Sequence, residues 1–388
     1  MKYNFDLNVN RLNTNSLKWD LYDTDLPMWV ADMDFKVSDN IINGFKKRID
    51  NGVFGYNILN DEFYNSYINF WDKYHNFKIE KDWLLFSTGV IPSLSSAIRR
   101  LTNVANNVVI LTPVYNIFFN SIRNNGRNIL ESKLIYKDNK YEIDWNDLEA
   151  KLSLSETTLL VFCNPHNPVG KIWTKDEIIK VGELCAKNNV YVISDEIHCD
   201  IVKPGLNYIP FASASDICKN ISITLIAPTK CFNLAGIQTS AIVCPNKNLY
   251  NIVNRGINTD EVAEGNTLAV IAPILAFNES VDWLKQMQEY VFNNRSYAEK
   301  FIEENIKELK VIKADATYLL WVDCNNITSD DVKLKDFIYK HTKLLVSDGA
   351  EYGDSGKGFI RINLATSKRR VIDGLNRLKN AIDLFKRN

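Results

Sequence analysis

Two residues at the polar ends of two apolar runs are the places where this chain of 388 residues can do covalent chemistry. Ile221–Gly236, ISITLIAPTKCFNLAG, carries Lys230 into a turn that follows Pro228, and Val190–His198, VYVISDEIH, breaks into Asp195 and Glu196. Runs rich in β-branched residues and ending this way read as buried strands of a parallel sheet, and ligands collect beyond the carboxyl ends of such strands. Taken alone, Lys230 reads far more readily as one solvated lysine among 46 Lys and Arg residues, so its partners decide.

A third apolar run, Leu159–Cys163, opens into NPHNPVG, where two Asn-Pro pairs force extended or turn geometry and can hold the amide of Asn167 rigidly. A stiff turn without chemistry is the competing reading. Further on, GFIRINLA puts Arg361 on a strand between apolar neighbours, where a guanidinium needs an anion: a ligand carboxylate, or a carboxylate of the protein itself. An amine on one side and a permanent anion on the other suit pyridoxal phosphate. Its aldehyde condenses with a lysine, and its ring nitrogen stays protonated only beside a carboxylate.

In order and spacing, NPHNPVG, SDEIH and APTKCFNLAG resemble the signature of the aspartate-aminotransferase fold family of pyridoxal-phosphate enzymes, over most of the chain. The opening strip Leu26–Phe35, LPMWVADMDF, reads from its residues as either a binding face or a core-plugging arm, and it resembles the cystathionine β-lyase branch typified by MalY and PatB. The resemblance implies an α/β, PLP-dependent transferase-like fold, with a mostly parallel central sheet and a smaller α+β domain. It implies Lys230 as the catalytic amine, Asp195 on the ring nitrogen, Asn167 and His198 near the ring hydroxyl, and Arg361 on the substrate carboxylate, with Asn167 and Trp29 beside the substrate. Tyr56 would cross a homodimer interface to the partner's cofactor phosphate.

Other parts of the site are readable from residue types. In Leu84–Leu101, a Gly turn precedes a helix opening near Pro92, so the amides of Gly89, Val90 and Ile91 are a seat for phosphate, with Thr88 adding a hydroxyl. Tyr115, at the end of Val108–Tyr115, is either core packing or a flat ring against a pyridine; the family makes it the stacking residue, counted with Lys230 as catalytic. Where the wider superfamily has a serine three places before the lysine and an arginine eight places after it, this chain has Ala227 and Gln238, and Thr229 stands as the replacement hydroxyl. Histidine at 198, where most aminotransferases have tyrosine, favours elimination over transamination. The expected activity is C–S β-lysis of L-cystathionine and related S-substituted cysteines to a thiol, pyruvate and ammonia. An aminotransferase is the alternative, and an idle binding protein a third.

Composition bounds the rest. A net charge of −1 with interleaved signs argues against nucleic acid or an anionic membrane as partner. Seven cysteines without dense spacing or a CxxC pair point to a reducing compartment, read as the cytoplasm, and no metal centre is expected. His75, behind an aromatic helix, reads as structural. Strand–helix alternation through residue 245 gives way to helices over 249–309 and then to short strands. This divides the chain into an arm over 1–45, a large domain over 46–280 and a small one over 281–388.

Overall fold

In the computed structural model, which describes residues 2–387, seven strands form the central sheet: β1 (Leu84–Ser87), β2 (Asn107–Thr112), β3 (Asn128–Lys133), β4 (Thr157–Cys163), β5 (Tyr191–Asp195), β6 (Ser222–Ile226) and β7 (Ser240–Val243). Their order is β1-β7-β6-β5-β4-β2-β3, with β7 antiparallel to both neighbours and the others parallel. Strands β2, β4, β5 and β6 are almost wholly buried because helices cover both faces, which is why they read as continuous rather than alternating apolar runs.

Register brings the chemistry to one level. Cys163 on β4 is the partner of Asp195 on β5, and Asp195 is the partner of Leu225 on β6. The loops carrying Asn167 and Lys230 therefore leave the sheet on either side of Asp195. At the neighbouring edge Ser87 pairs with Ser240, so the turn after β1 and the turn before β7, which carries Gln238, meet there.

A second sheet, antiparallel throughout, contains β8 (Lys310–Val311), β9 (Leu319–Asp323), β10 (Ser347–Asp348) and β11 (Phe359–Asn363), ordered β8-β9-β11-β10. Thr317, at φ +66°, breaks the extended run ahead of β9, so pairing begins only at Leu319. Leu26–Pro27 adds a parallel pair with Leu344–Leu345, and Leu26 and Met28 join the core beneath this sheet. A bend of 76° separates helix Thr267–Glu279 from helix Val281–Asn305.

Candidate active site

A cavity of about 290 Å³ lies at the carboxyl ends of β4, β5 and β6, lined by Thr88, Gly89, Val90, Ile91, Tyr115, Asn167, Asp195, His198, Thr229, Lys230 and Gln238. Residues from six separate stretches of sequence thus face one space. Each arrives by a local device. Lys230 leaves β6 through a turn closed by the Phe232 amide on the Pro228 carbonyl at 2.9 Å. Both Asn–Pro bonds of the loop after β4 are cis, and the Trp173 indole donates to the Cys163 carbonyl at 2.9 Å where that loop begins. Gln238 adopts a left-handed backbone, φ 59° and ψ 66°, at the approach to β7.

Lys230 Nζ donates to the Ala31 carbonyl at 2.6 Å, and Tyr318 Oη donates to the same oxygen at 2.9 Å. Burial pulls the Lys230 pKa down to about 8, with Arg361 adding to the fall and Asp32 and Asp195 opposing it. Asp195 is 3% exposed. Burial raises its carboxyl to about 6, although the Ile197 amide, 3.1 Å away, and Lys230 both favour the anion. His198 falls to about 3 for the same first reason, with Lys230 and Arg361 adding repulsion, and its Nδ1 has no hydrogen-bond partner. Burial also lifts the Tyr115 hydroxyl above its ordinary value.

These residues fit pyridoxal phosphate on physical grounds. Helix Val90–Leu101 begins at Gly89 with no side-chain cap, so its first-turn amides, which no helical carbonyl can reach, face the cavity as an anion seat. Asp195 is a buried carboxylate with no cation in hydrogen-bond contact, and the unpartnered His198 nitrogen faces the same space. Strand pairing leaves both unmatched, and a protonated ring with polar substituents would match them.

Arg361 stands behind this wall. Its Nη1 reaches Asn167 Oδ1 at 3.5 Å, its Nη2 donates to the Trp29 carbonyl at 2.7 Å, and its buried Nε has no partner. Trp29 meets it through the backbone only; the indole packs edge-on against Tyr22 and donates to the Lys18 carbonyl. Asn363, two residues along β11 and so on the same face, donates 2.6 Å bonds to the carbonyls of Val30 and Asp32. Phe35 enters the core, while Asp32 and Asp34 pair with Arg11 and Lys18, so the opening strip is half plug and half site wall. Tyr56 lies apart from the cavity, fully exposed, and Ala227 is buried behind it.

The family described as aminotransferase class I and II matches residues 32–377. The chain belongs to that family. A cystathionine β-lyase, PatB of Bacillus subtilis, is 38% identical over 385 residues, covering 98% of this chain and 100% of that protein. Among solved structures, a PLP-bound putative aminotransferase from Clostridium difficile 630 superposes with TM-score 0.95 at 39% identity, covering 98% and 100% of the two chains. A PLP-bound C-S lyase from Staphylococcus hominis gives 0.93 at 31%, covering 98% and 99%. Within this class I and II fold, sequence reasoning missed Ala31 and Tyr318, which hold the lysine amine. Ala31 sits inside the recognised strip, but nothing in the text around Tyr318 signals its hydroxyl.

Proposed function

We propose that this chain is a pyridoxal-phosphate-dependent C–S β-lyase. It cleaves L-cystathionine and related S-substituted cysteines by α,β-elimination to a thiol, homocysteine in the case of cystathionine, with pyruvate and ammonia. The observation that carries this reading is the convergence of the Lys230 amine, the Asp195 carboxylate and an uncapped helix start on one cavity, in a chain 38% identical to a cystathionine β-lyase.

When bound, pyridoxal phosphate supplies an electron-withdrawing ring that accepts the electrons released at the substrate Cα. Asp195 would keep the ring nitrogen protonated, and Asn167 and His198 would meet the ring hydroxyl oxygen. Tyr115 would lie on the ring face, and the amides of Gly89, Val90 and Ile91, with Thr88, Thr229 and Gln238, would hold the phosphate. Arg361 grips the substrate carboxylate, its free Nε aimed by the bond to the Trp29 carbonyl. Lys230, with a pKa of about 8, is partly neutral near pH 7, takes the Cα proton and keeps it at Nζ. His198, held neutral, meets the ring oxygen without adding a second cation beside the Lys230 amine.

The C. difficile relative is titled a putative aminotransferase, and this keeps transamination as the second reading. A panel of sulfur amino acids scored for pyruvate and thiol release separates the two. Lyase chemistry gives both products with no keto acid added, whereas a new amino acid formed only when 2-oxoglutarate is added would overturn the assignment.

We infer a homodimer from Gly52–Asn60, where Val53, Phe54, Tyr56 and Ile58 expose 63–101% of their surface with no covering element. Tyr56 would reach the partner's cofactor phosphate. Light scattering of the purified protein tests this, and a monomer would end it. The arm over 1–45, the large domain over 46–280 and the small domain over 281–388 remain our division, supported by the two separate sheets and the bend near residue 280. Release of homocysteine would place the enzyme in methionine biosynthesis. Seven free, buried cysteines suit the cytoplasm, and no single helix among the described residues is long and apolar enough to cross a membrane.

A further inference from the structure

A second cavity, of about 320 Å³, is bordered by His75, Cys199, Asp200, Tyr208, Lys285 and Gln288, none of which lines the cavity around Lys230. Three of them converge there. His75 Nε2 lies 2.8 Å from Asp200 Oδ1, Cys199 Sγ donates to Asp200 Oδ2 at 3.4 Å, and one ligand atom from each of the three residues lies within 4.8 Å of the other two. Cys231 Sγ reaches the same Oδ2 at 3.6 Å. The His75 and Asp200 side chains are only 7% and 4% exposed, so the group is a buried cluster with one open side.

We propose that His75, Cys199 and Asp200 form a binding site for a divalent cation of the zinc class, with the fourth ligand position facing this second cavity. Imidazole nitrogen, thiolate sulfur and carboxylate oxygen are the donors zinc takes, and three protein ligands plus an open position is the arrangement of reactive rather than closed sites. Ordinary zinc–ligand distances set tetrahedral edges of roughly 3.4 Å for N···O and roughly 3.6 Å for S···O. The contacts here, 2.8 Å from His75 Nε2 to Oδ1 and 3.4 Å from Cys199 Sγ to Oδ2, reach the two oxygens of one carboxylate, so the cation enters by replacing hydrogen-bonding protons while Asp200 turns one oxygen to it.

Charge agrees with geometry. One thiolate and one carboxylate neutralise a divalent ion, while the imidazole binds uncharged. The cation takes the place of the Cys199 Sγ proton, which is released to solvent. The ligands are also braced from behind. The Gln288 amide donates to the Asp200 carbonyl at 2.7 Å, and the rings of Tyr208 and Trp71 flank the His75 imidazole at 4.8 and 5.4 Å. Cys199 follows His198 directly, so an ion here fixes backbone adjoining the Lys230 cavity. The proposal stands whether or not the lyase reading does.

The test uses reduced holo-protein dialysed against zinc chloride and then gel-filtered. One zinc per chain is expected by elemental analysis, and cobalt in its place should give thiolate-to-cobalt charge transfer with tetrahedral visible bands. Cys199→Ser and His75→Gln should each weaken zinc binding by roughly 100-fold or more, beyond what loss of an outer partner does. Zinc should raise the melting temperature of the parent protein and not of either variant. Absence of retained zinc in the parent, a cobalt spectrum without the thiolate band, or equal zinc retention by folded variants would each overturn the proposal. Should a variant fail to fold, the cobalt spectrum of the parent decides alone.

Discussion

The Lys230 amine is tied to the carbonyl of Ala31, 199 residues earlier in the chain, by a hydrogen bond of 2.6 Å. That carbonyl belongs to a strip which Arg361 and Asn363 grip at Trp29, Val30 and Asp32. One strand of the second sheet therefore fixes the segment that aims the amine, and its arginine keeps a buried Nε without a partner. Placement of the proposed substrate carboxylate and of the proposed base is thus a single mechanical problem, solved by β11.

Cofactor capture should report the state of that amine. With a Lys230 pKa of about 8, pulled down mainly by burial, the neutral fraction falls roughly tenfold per pH unit below that value. Mixing cofactor-free protein with pyridoxal phosphate should therefore give a covalent-capture rate that climbs from pH 6 to 8 and levels off above. A rate still climbing steeply at pH 10 would mean that burial does not depress the amine. In Lys230→Ala, borohydride should fix no cofactor to the chain.

Arg361 provides a separate check on substrate binding. Removing one partner of a buried charged pair typically costs several kcal/mol, so Arg361→Ala should raise KM by about 100-fold with a smaller loss in kcat. Arg361→Lys keeps the charge but loses the fork, and should recover only part of the affinity. Because Nη2 also holds the Trp29 carbonyl, both variants need a melting curve beside the kinetics. An unchanged KM in folded Arg361→Ala would remove the carboxylate role.

Much of this arrangement was legible in the text because each feature is local. Apolar β-branched runs announced β4, β5 and β6, and the residues closing them are the ones that face the cavity. Tyr318 was not legible, since its hydroxyl matters only through a carbonyl 287 residues distant. The His75–Asp200 contact spans 125 residues and was invisible for the same reason, so His75 read as structural. The resemblance put Trp29 beside the substrate, and it is the Trp29 carbonyl that accepts from Arg361; sequence gives side chains and conceals which backbone atoms take part.

Gly170 shows how tightly the Asn167 loop is held. It sits at φ +70°, its carbonyl accepts from both the Asp315 and Ala316 amides, and a Cβ there would lie 2.7 Å from the Ala316 carbonyl oxygen and 2.6 Å from the Ala314 Cβ. A left-handed alanine costs about 1–2 kcal/mol, and the collision with backbone adds to it. Gly170→Ala should lose more than about 2 kcal/mol in urea unfolding and release cofactor faster, as the loop carrying Asn167 shifts. Stability within about 0.5 kcal/mol of the parent would show that the loop yields at little cost.

His198 should leave its mark on acid stability. Its native pKa of about 3 lies below the ordinary value of 6.5, because burial and the nearby Lys230 and Arg361 charges oppose the imidazolium. The unfolded chain therefore binds a proton that the native state refuses between those two values, so this term lowers stability as pH falls from 6.5 towards 3. His166, held at about 4, acts in the same direction, whereas Asp195 at about 6 and Glu196 at about 7 bind protons in the native state first and oppose it. The total slope is therefore a balance, and a single replacement isolates one member. In cofactor-free protein, the drop in unfolding free energy from pH 7.5 to pH 5 should be smaller in His198→Asn than in the parent by about 2 kcal/mol. Identical drops in urea titrations at the two pH values would mean that the imidazole charges freely in the native site. The role given to it, a neutral partner for the ring oxygen beside the Lys230 amine, would then be lost.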